Sequence, residues 1–346
     1  MKKCLNNNYA RKILSDITCS LPQDGDVNCV KPISLKVRIY CNVSVKMQPT
    51  TITNLFCLCT VNTILMIAGI FLNSVVIISL WRSSQLRKKL CYFTIFVLSC
   101  FDLSVVIVTH PLVMASAIAT MAFGVYDKLF VDLAEFTIIL VVEFAMLALL
   151  TLNVERFLAL TYPFFHERMV TKERLIYFLA LLQFLTLVPM TLTFQNIILQ
   201  RENVMIVFLT FLLSLFVYLN YRTFMIARSK RKNENVAPTN DLHELKKTRF
   251  NLRNMSTCSL AVLCFFACSF PGIVYFLYAL ISETPLSHEN DKVFMSWAET
   301  MGCANSTINC LILFWRNTVL RREGMKIIKN IQSRCCCVRM SRFRNA

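Results

Sequence analysis

Residues 150–164 read LTLNVERFLALTYPF. Glu155 and Arg156 stand side by side at the end of a mostly apolar run that begins near Leu129. An arginine does not give up its charge in a protein, so beside an apolar segment it must pair, reach an interface, or meet a partner that replaces water. The pair therefore reads in one of two ways. It is an interfacial ion pair anchoring the end of a helix, or it is a contact with two arrangements, which is what a switch requires.

Composition settles where that run resides. The chain has 346 residues, 56% hydrophobic and 16% charged, with mean hydropathy +0.54. A water-soluble domain is about a quarter charged, so polar surface is too scarce to cover a soluble globule. Apolar stretches of about 20 residues span a bilayer core, and seven occur: Ile52–Leu80, Cys91–Ala119, Leu129–Val154, Leu175–Ile198, Val204–Ala227, Thr257–Ile281 and Phe294–Phe314. The third and fourth are interrupted by Asp132, Glu135, Glu143 and Gln183. Helices satisfy their own backbone in hydrocarbon, so an all-α, seven-transmembrane helix bundle is expected over residues 51–315. A tail occupies 1–50, and 316–346 form a short amphipathic helix with a basic, cysteine-containing tail.

Basic residues orient the bundle. Arg82, Arg87, Lys88 and Lys89 follow the first span, and Arg156, Arg168, Lys172 and Arg174 follow the third. Nine more lie in Arg222–Arg253 and nine from Arg316 onward, against Lys128, Arg201 and Lys292 on the opposite loops. The heavy side is expected in the cytoplasm, with the amino terminus outside the plasma membrane. The first 50 residues carry eight Lys/Arg, but long tails cross largely regardless of charge. No apolar h-region precedes Thr51, so the first span is expected to act as an uncleaved signal anchor. The net charge of +17 thus faces anionic lipid. Nucleic-acid binding would call for a soluble basic domain with interleaved aromatics, which the sequence lacks.

Cysteines divide by compartment. Cys4, Cys19, Cys29 and Cys41 lie in the outer tail, where disulfides persist, and four cysteines allow three pairings. Asn42-Val-Ser44 is a glycosylation sequon on the same side. The polar stretch Arg228–Lys247 reads as a flexible cytoplasmic loop. After Phe314, Leu320, Met325, Ile327, Ile328 and Ile331 recur at helical spacing among basic residues, as in a helix lying on the inner leaflet, with Gly324 in its middle. Cys335, Cys336 and Cys337 just beyond are a palmitoylation candidate, or else three free thiols.

Several short motifs follow one another in order. Asn73 lies in GIFLNSVVI and Asp102 in LSCFDL, with Pro111 nine residues later; Glu155-Arg156-Phe157 is followed by Pro163-Phe164; FFACSFPG holds Phe265 and Pro271; and NSTINCLIL runs from Asn305 through Asn309 to Leu313. In this order and spacing, over roughly Ile52–Lys329, they resemble the rhodopsin-like (class A) G-protein-coupled receptors. The resemblance implies that Arg156 is held by Glu155 in the inactive state and released to a heterotrimeric G-protein in the active one, with Phe265, Pro271 and Asn309 in the same switch. It implies that Asp102, Asn73, Asn305 and Asn309 hold a sodium ion and water, with no other cofactor. Oxygen donors suit a hard cation. The alternative reading of Asp102 is a protonated carboxyl in a polar network.

Departures from the family pattern narrow the ligand. Ile138 stands where amine receptors carry an aspartate, and Cys303 where opsins carry the retinal lysine, which argues against a biogenic amine and against light. The family's outer disulfide has no candidate cysteines. That loss, a short loop after the fourth span and a fifth span without proline resemble the melanocortin, lysolipid and cannabinoid branch. Ser269, Cys310, Leu313 and Gln183 replace the family's tryptophan, proline, tyrosine and tryptophan, and the acidic partner on the sixth helix falls near Asn251. By resemblance, an extracellular small-molecule, lipid or peptide ligand enters among helices three, five, six and seven. Glu135, Glu143, Tyr275, Tyr278 and Glu299 are the pocket candidates, with Trp297 beside them. An acidic, aromatic lining favours a cation.

Two other classes fit the sequence less well. A membrane transporter or channel often shows repeated halves and broken helices, and neither is visible. Against an enzyme, His110 is the one histidine within a span, and no nucleophile motif such as GxSxG occurs.

Overall fold

The computed structural model describes residues 19–20, 28–29, 49–123, 128–194, 201–236, 242–281 and 288–344. The chain divides into Met1–Val43 and Ser44–Ala346. In the first unit, β1 (Cys19–Ser20) pairs antiparallel with β2 (Asn28–Cys29), setting Cys19 opposite Cys29. Asn42 lies outside the described residues.

The described residues of the second unit form helices joined by breaks of one or two residues or by segments outside the described residues. In order these are α1 (Pro49–Arg82), α2 (Ser84–Lys88), α3 (Leu90–Phe123), α4 (Lys128–Thr161), α5 (Pro163–Met169), α6 (Lys172–Phe194), α7 (Arg201–Val236), α8 (Leu242–Ile281), α9 (His288–Arg316) and α10 (Thr318–Arg344). The seven long helices α1, α3, α4, α6, α7, α8 and α9 coincide with the seven expected spans. Pro49–Arg82, Leu90–Ala119, Phe136–Thr161, Lys172–Thr191 and Ser256–Tyr275 are long and apolar enough to cross a membrane, and Thr210–Ile226 of α7 is a shorter apolar stretch. Within the apolar zone, hydroxyls turn back on their own helices. Thr109 donates to Val105 O (2.7 Å) and Thr151 to Leu147 O (2.8 Å), so their polarity is satisfied without water.

Two expectations change. The third helix does not stop at Val154 but runs to Thr161, because the charge on Arg156 is paired inside the bundle and does not force an exit. The expected loop over 228–247 is helical up to Val236 and again from Leu242. Its Lys, Arg and Glu are good helix formers.

Helix α4 is central, packing against α3, α6, α7 and α8, while α9 lies against α8, α1 and α3. Two glycines permit close approach. A Cβ on Gly69 would stand 2.6 Å from Thr307 Oγ1 of α9 and 2.7 Å from Val106 Cγ2 of α3. A Cβ on Gly324 would strike the Phe314 ring and come within 3.2 Å of Val75. Gly324 therefore does not weaken α10; it lets α10 dock on α1.

Two apolar clusters fill the interior. One holds Leu55, Leu58, Val105, Val113, Ile138 and Cys303; the other holds Val76, Leu98, Leu149, Phe216, Phe265 and Leu313. Along α1, α3 and α9 a buried polar layer of Asn73, Asp102, Asn305, Ser306 and Asn309 separates them.

Candidate functional site

The polar layer is built from three helices. Asn73 donates its amide to Gly69 O (3.0 Å), which turns its Oδ1 away from its own backbone. The Asp102 side chain is 1% exposed, and Ser306 and Asn309 of α9 lie beside it. Neither closes a hydrogen bond. Both Asp102 carboxylate oxygens, with Ser99 Oγ and the Oδ1 atoms of Asn73, Asn305 and Asn309, are buried without a hydrogen-bond partner among the described residues. Buried polar atoms are nearly always partnered, and all six are oxygens, the donor type a hard monovalent cation takes. The residues present fit the sodium ion that the resemblance implies.

The second centre lies further along α4. Glu155 is 2% and Arg156 4% exposed, and they pair with each other. The pair is not an exposed interfacial anchor but part of the packed interior. Cys91 of α3 and Cys258 of α8 flank the guanidinium, and both belong to the larger apolar cluster. Beyond that ion pair, Arg156 Nε is buried without a hydrogen-bond partner among the described residues. The other Glu155 oxygen, Oε1, lies 2.8 Å from His166 Nε2 of α5. An ionised carboxylate only accepts, so Nε2 donates.

The model of the 7 transmembrane receptor (rhodopsin family) matches residues 72–313.

The chain is a rhodopsin-family receptor.

No curated protein sequence matches the receptor. The matched span contains Asn73, Asp102, Glu155, Arg156, Phe265, Pro271, Asn305 and Asn309. As a G-protein-coupled receptor of this family it is a multi-pass membrane protein that works as a receptor and signal transducer.

Phe265 of α8 is buried against Phe216 of α7, with ring centroids 5.9 Å apart, and Phe266 closes a third edge at 5.5 Å from Phe265. Pro271 lies within α8 above this aromatic knot. Having no N–H, it leaves the carbonyl four residues earlier without its helical partner.

Pocket candidates scatter more widely. Glu143 is buried and Thr186 of α6 lies beside its carboxyl, so it faces the fourth span rather than α8 and α9. Tyr275 stacks on Phe294 of α9 at 5.7 Å and 24°. Tyr278 is 41% exposed. Glu299 lies near Cys303 on the inner face of α9. The side chains of Glu135, Asn251, Cys335, Cys336 and Cys337 lie outside the described residues, although their backbones are helical. Between α1 and α9, Thr50, Thr51, Asn54, Val293, Phe294 and Trp297 line a cleft of about 340 Å³.

Sequence reasoning missed three groups. His166 is one. Another is a buried triad below the cleft, where Asn62 donates to Thr300 Oγ1 (2.8 Å) and accepts from His110 Nδ1 (2.6 Å). Phe216 is the third. Polar residues at 62, 110 and 300 in three different spans were a readable signal for the triad, since each is costly alone in lipid. Phe216 is one of 27 phenylalanines and carries no such mark.

Proposed function

We propose that this receptor couples an extracellular ligand to a heterotrimeric G-protein, with its amino-terminal tail outside the plasma membrane and the Arg156 end in the cytoplasm. The observation that carries this reading is the buried Glu155–Arg156 pair. A permanently charged guanidinium held among apolar side chains and thiols needs its carboxylate, and a cytoplasmic partner offering acceptors can replace it. Two arrangements follow, and a ligand that favours one of them shifts the population.

Asp102, Asn73, Asn305 and Asn309 would hold a sodium ion, which would neutralise the carboxylate and tie α1, α3 and α9 together in one arrangement. Tyr275, Trp297 and Glu299 favour a cationic or amphiphilic ligand with an aromatic-facing group. The basic carboxy-terminal helix would lie on anionic lipid of the inner leaflet, with Cys335, Cys336 and Cys337 as acylation sites and Asn42 as the glycosylation site.

The deciding experiment is nucleotide exchange on a panel of purified G-proteins, with the receptor in nanodiscs and a ligand library. Exchange that rises with a ligand and is lost in Arg156→Ala supports the reading. Ion or solute flux through receptor-containing vesicles, with no exchange on any G-protein, would favour a transporter or channel instead.

A further inference from the structure

The amino-terminal unit contains a strand pairing that local propensity does not account for. β1 and β2 are two residues each, Cys19–Ser20 and Asn28–Cys29, and their register sets Cys19 opposite Cys29 and Ser20 opposite Asn28. An isolated two-stranded hairpin is marginal in water even with strands of about five residues. Neither Ser20 nor Asn28 is among the β-branched and aromatic residues that favour strands. Residues 21–27, which join the strands, include Pro22 and Asp24-Gly25, residue types that turns use, so the reversal of the chain has a local cause. The persistence of two such short strands beside each other does not. The one reactive group that both strands carry is a thiol, and the two thiols belong to residues at the same register position.

We propose that Cys19 and Cys29, opposite each other in the β1–β2 register, form a disulfide that staples this hairpin in the outer tail. Directly opposite residues of an antiparallel pair lie on one face, with Cα atoms about 4.5 or 5.5 Å apart, and a disulfide spans Cα separations of about 4.4–6.8 Å. The bond also pins a register that two residues cannot pin alone, since a slip by one residue would set Cys19 against Asn28 and turn each side chain to the other face. In forming it, each thiol gives up its hydrogen and the two sulfurs join. The two electrons and two protons pass to a disulfide-bearing oxidoreductase of the secretory lumen, whose own disulfide becomes two thiols. Of the three pairings that Cys4, Cys19, Cys29 and Cys41 allow, this one leaves Cys4 and Cys41 as the second pair. The inference rests on the outer placement of the tail proposed above, because a disulfide persists in an oxidising compartment.

The test uses the full-length receptor taken from intact cells, with free thiols capped by N-ethylmaleimide at harvest. A protease that cuts before aspartate cleaves at Asp24 and Asp26 and so separates Cys19 from Cys29. The fragments holding them are expected to travel as one species, two hydrogens lighter than their sum, without maleimide, and to part on reduction. Cys19→Ser is expected to leave Cys29 open to capping, Cys29→Ser to do the same for Cys19, and Cys4→Ser to free neither. A fragment joining Cys19 or Cys29 to Cys4, to Cys41 or to a second copy of the chain overturns the pairing. Capping of both thiols in the wild-type receptor overturns the bond. If an amino-terminal epitope is then reached by antibody on intact cells, the outer placement stands and the bond alone falls; if it is reached only after permeabilisation, the placement falls as well. The stapling role has its own measurement. Amide hydrogen exchange over residues 19–29 is expected to rise about tenfold or more in the double variant Cys19→Ser/Cys29→Ser, which leaves no odd thiol, as fits the loss of a bond that closes a loop. Equal exchange in the two proteins would show a hairpin that stands without its staple and overturns that role.

Discussion

Glu155 and Arg156 are adjacent in sequence, yet the contact between them depends on everything around them. Both are desolvated, so removing one partner strands the other charge, at a cost of about 3–5 kcal/mol. Glu155→Gln is therefore expected to weaken the arrangement that retains Arg156 and to raise basal nucleotide exchange, while Arg156→Ala abolishes ligand-stimulated exchange. Equal basal rates in Glu155→Gln and wild type, at equal surface expression, would remove the pair from the switch. Asp102 gives a second residue-scale test, read without G-protein. Sodium chloride, compared with choline chloride, is expected to raise the melting temperature of the wild-type receptor, and Asp102→Asn is expected to lose that increment. A third concerns Glu299, where substitution by Gln is expected to weaken a cationic agonist by about 1–3 kcal/mol, the scale of a hydrogen bond to a charged group; unchanged potency would take Glu299 out of the pocket. Asp102, Glu155 and Arg156 were legible because an ionisable group among apolar neighbours is conspicuous. His166 was not. It meets Glu155 across a helix break, eleven residues on, where no periodicity links the two.

At the scale of elements, close approach rather than propensity decides the role of glycine. Gly69 sits where α1, α3 and α9 converge. Gly69→Val is expected to lower the receptor's melting temperature, with an overpacking cost of about 1–3 kcal/mol. Gly272→Ala and Gly302→Ala would add a Cβ that meets nothing within 4 Å and are expected to leave it unchanged or slightly raised. A thermal-shift series on the three variants separates packing from backbone entropy. Gly324 carries the same lesson. By propensity alone a glycine inside an amphipathic helix is unfavourable, and the Phe314 ring against which Gly324 packs comes from the preceding helix, where spacing cannot locate it. The extension of α7 and α8 into the polar stretch 228–247 was likewise hidden, because polar composition describes solvent exposure and says little about helicity.

For the whole molecule, the arrangement of α4 at the centre and α9 closing against α1 places an oxygen-rich layer between two apolar clusters. In the proposed switch such a layer would carry a shift of α9 to α1 and α3, because its buried oxygens need polar partners. The membrane orientation proposed from the basic residues is testable on intact cells. An epitope at the amino terminus is expected to be reached by antibody without permeabilisation and one at the carboxy terminus only after it, and Asn42→Gln is expected to remove a glycosidase-sensitive mass. Both tags accessible from one side would overturn the proposed topology.

The sequence by itself determined that the chain is a bundle of helices in lipid. Hydrocarbon supplies no hydrogen bonds to a backbone, so seven apolar stretches of spanning length leave helices as the solution. It also determined which residues are expensive, since Asp102 and Arg156 announce their cost wherever they are placed. Only the tertiary structure decided which groups share that cost. The rotation of each helix about its axis is set by the joint packing of all its neighbours, through contacts such as Gly69 on Thr307 and Phe216 on Phe265, and no single segment encodes it. The facing of Glu143 toward α6, the Asn62–His110–Thr300 triad and the hold of His166 on Glu155 all follow from those rotations.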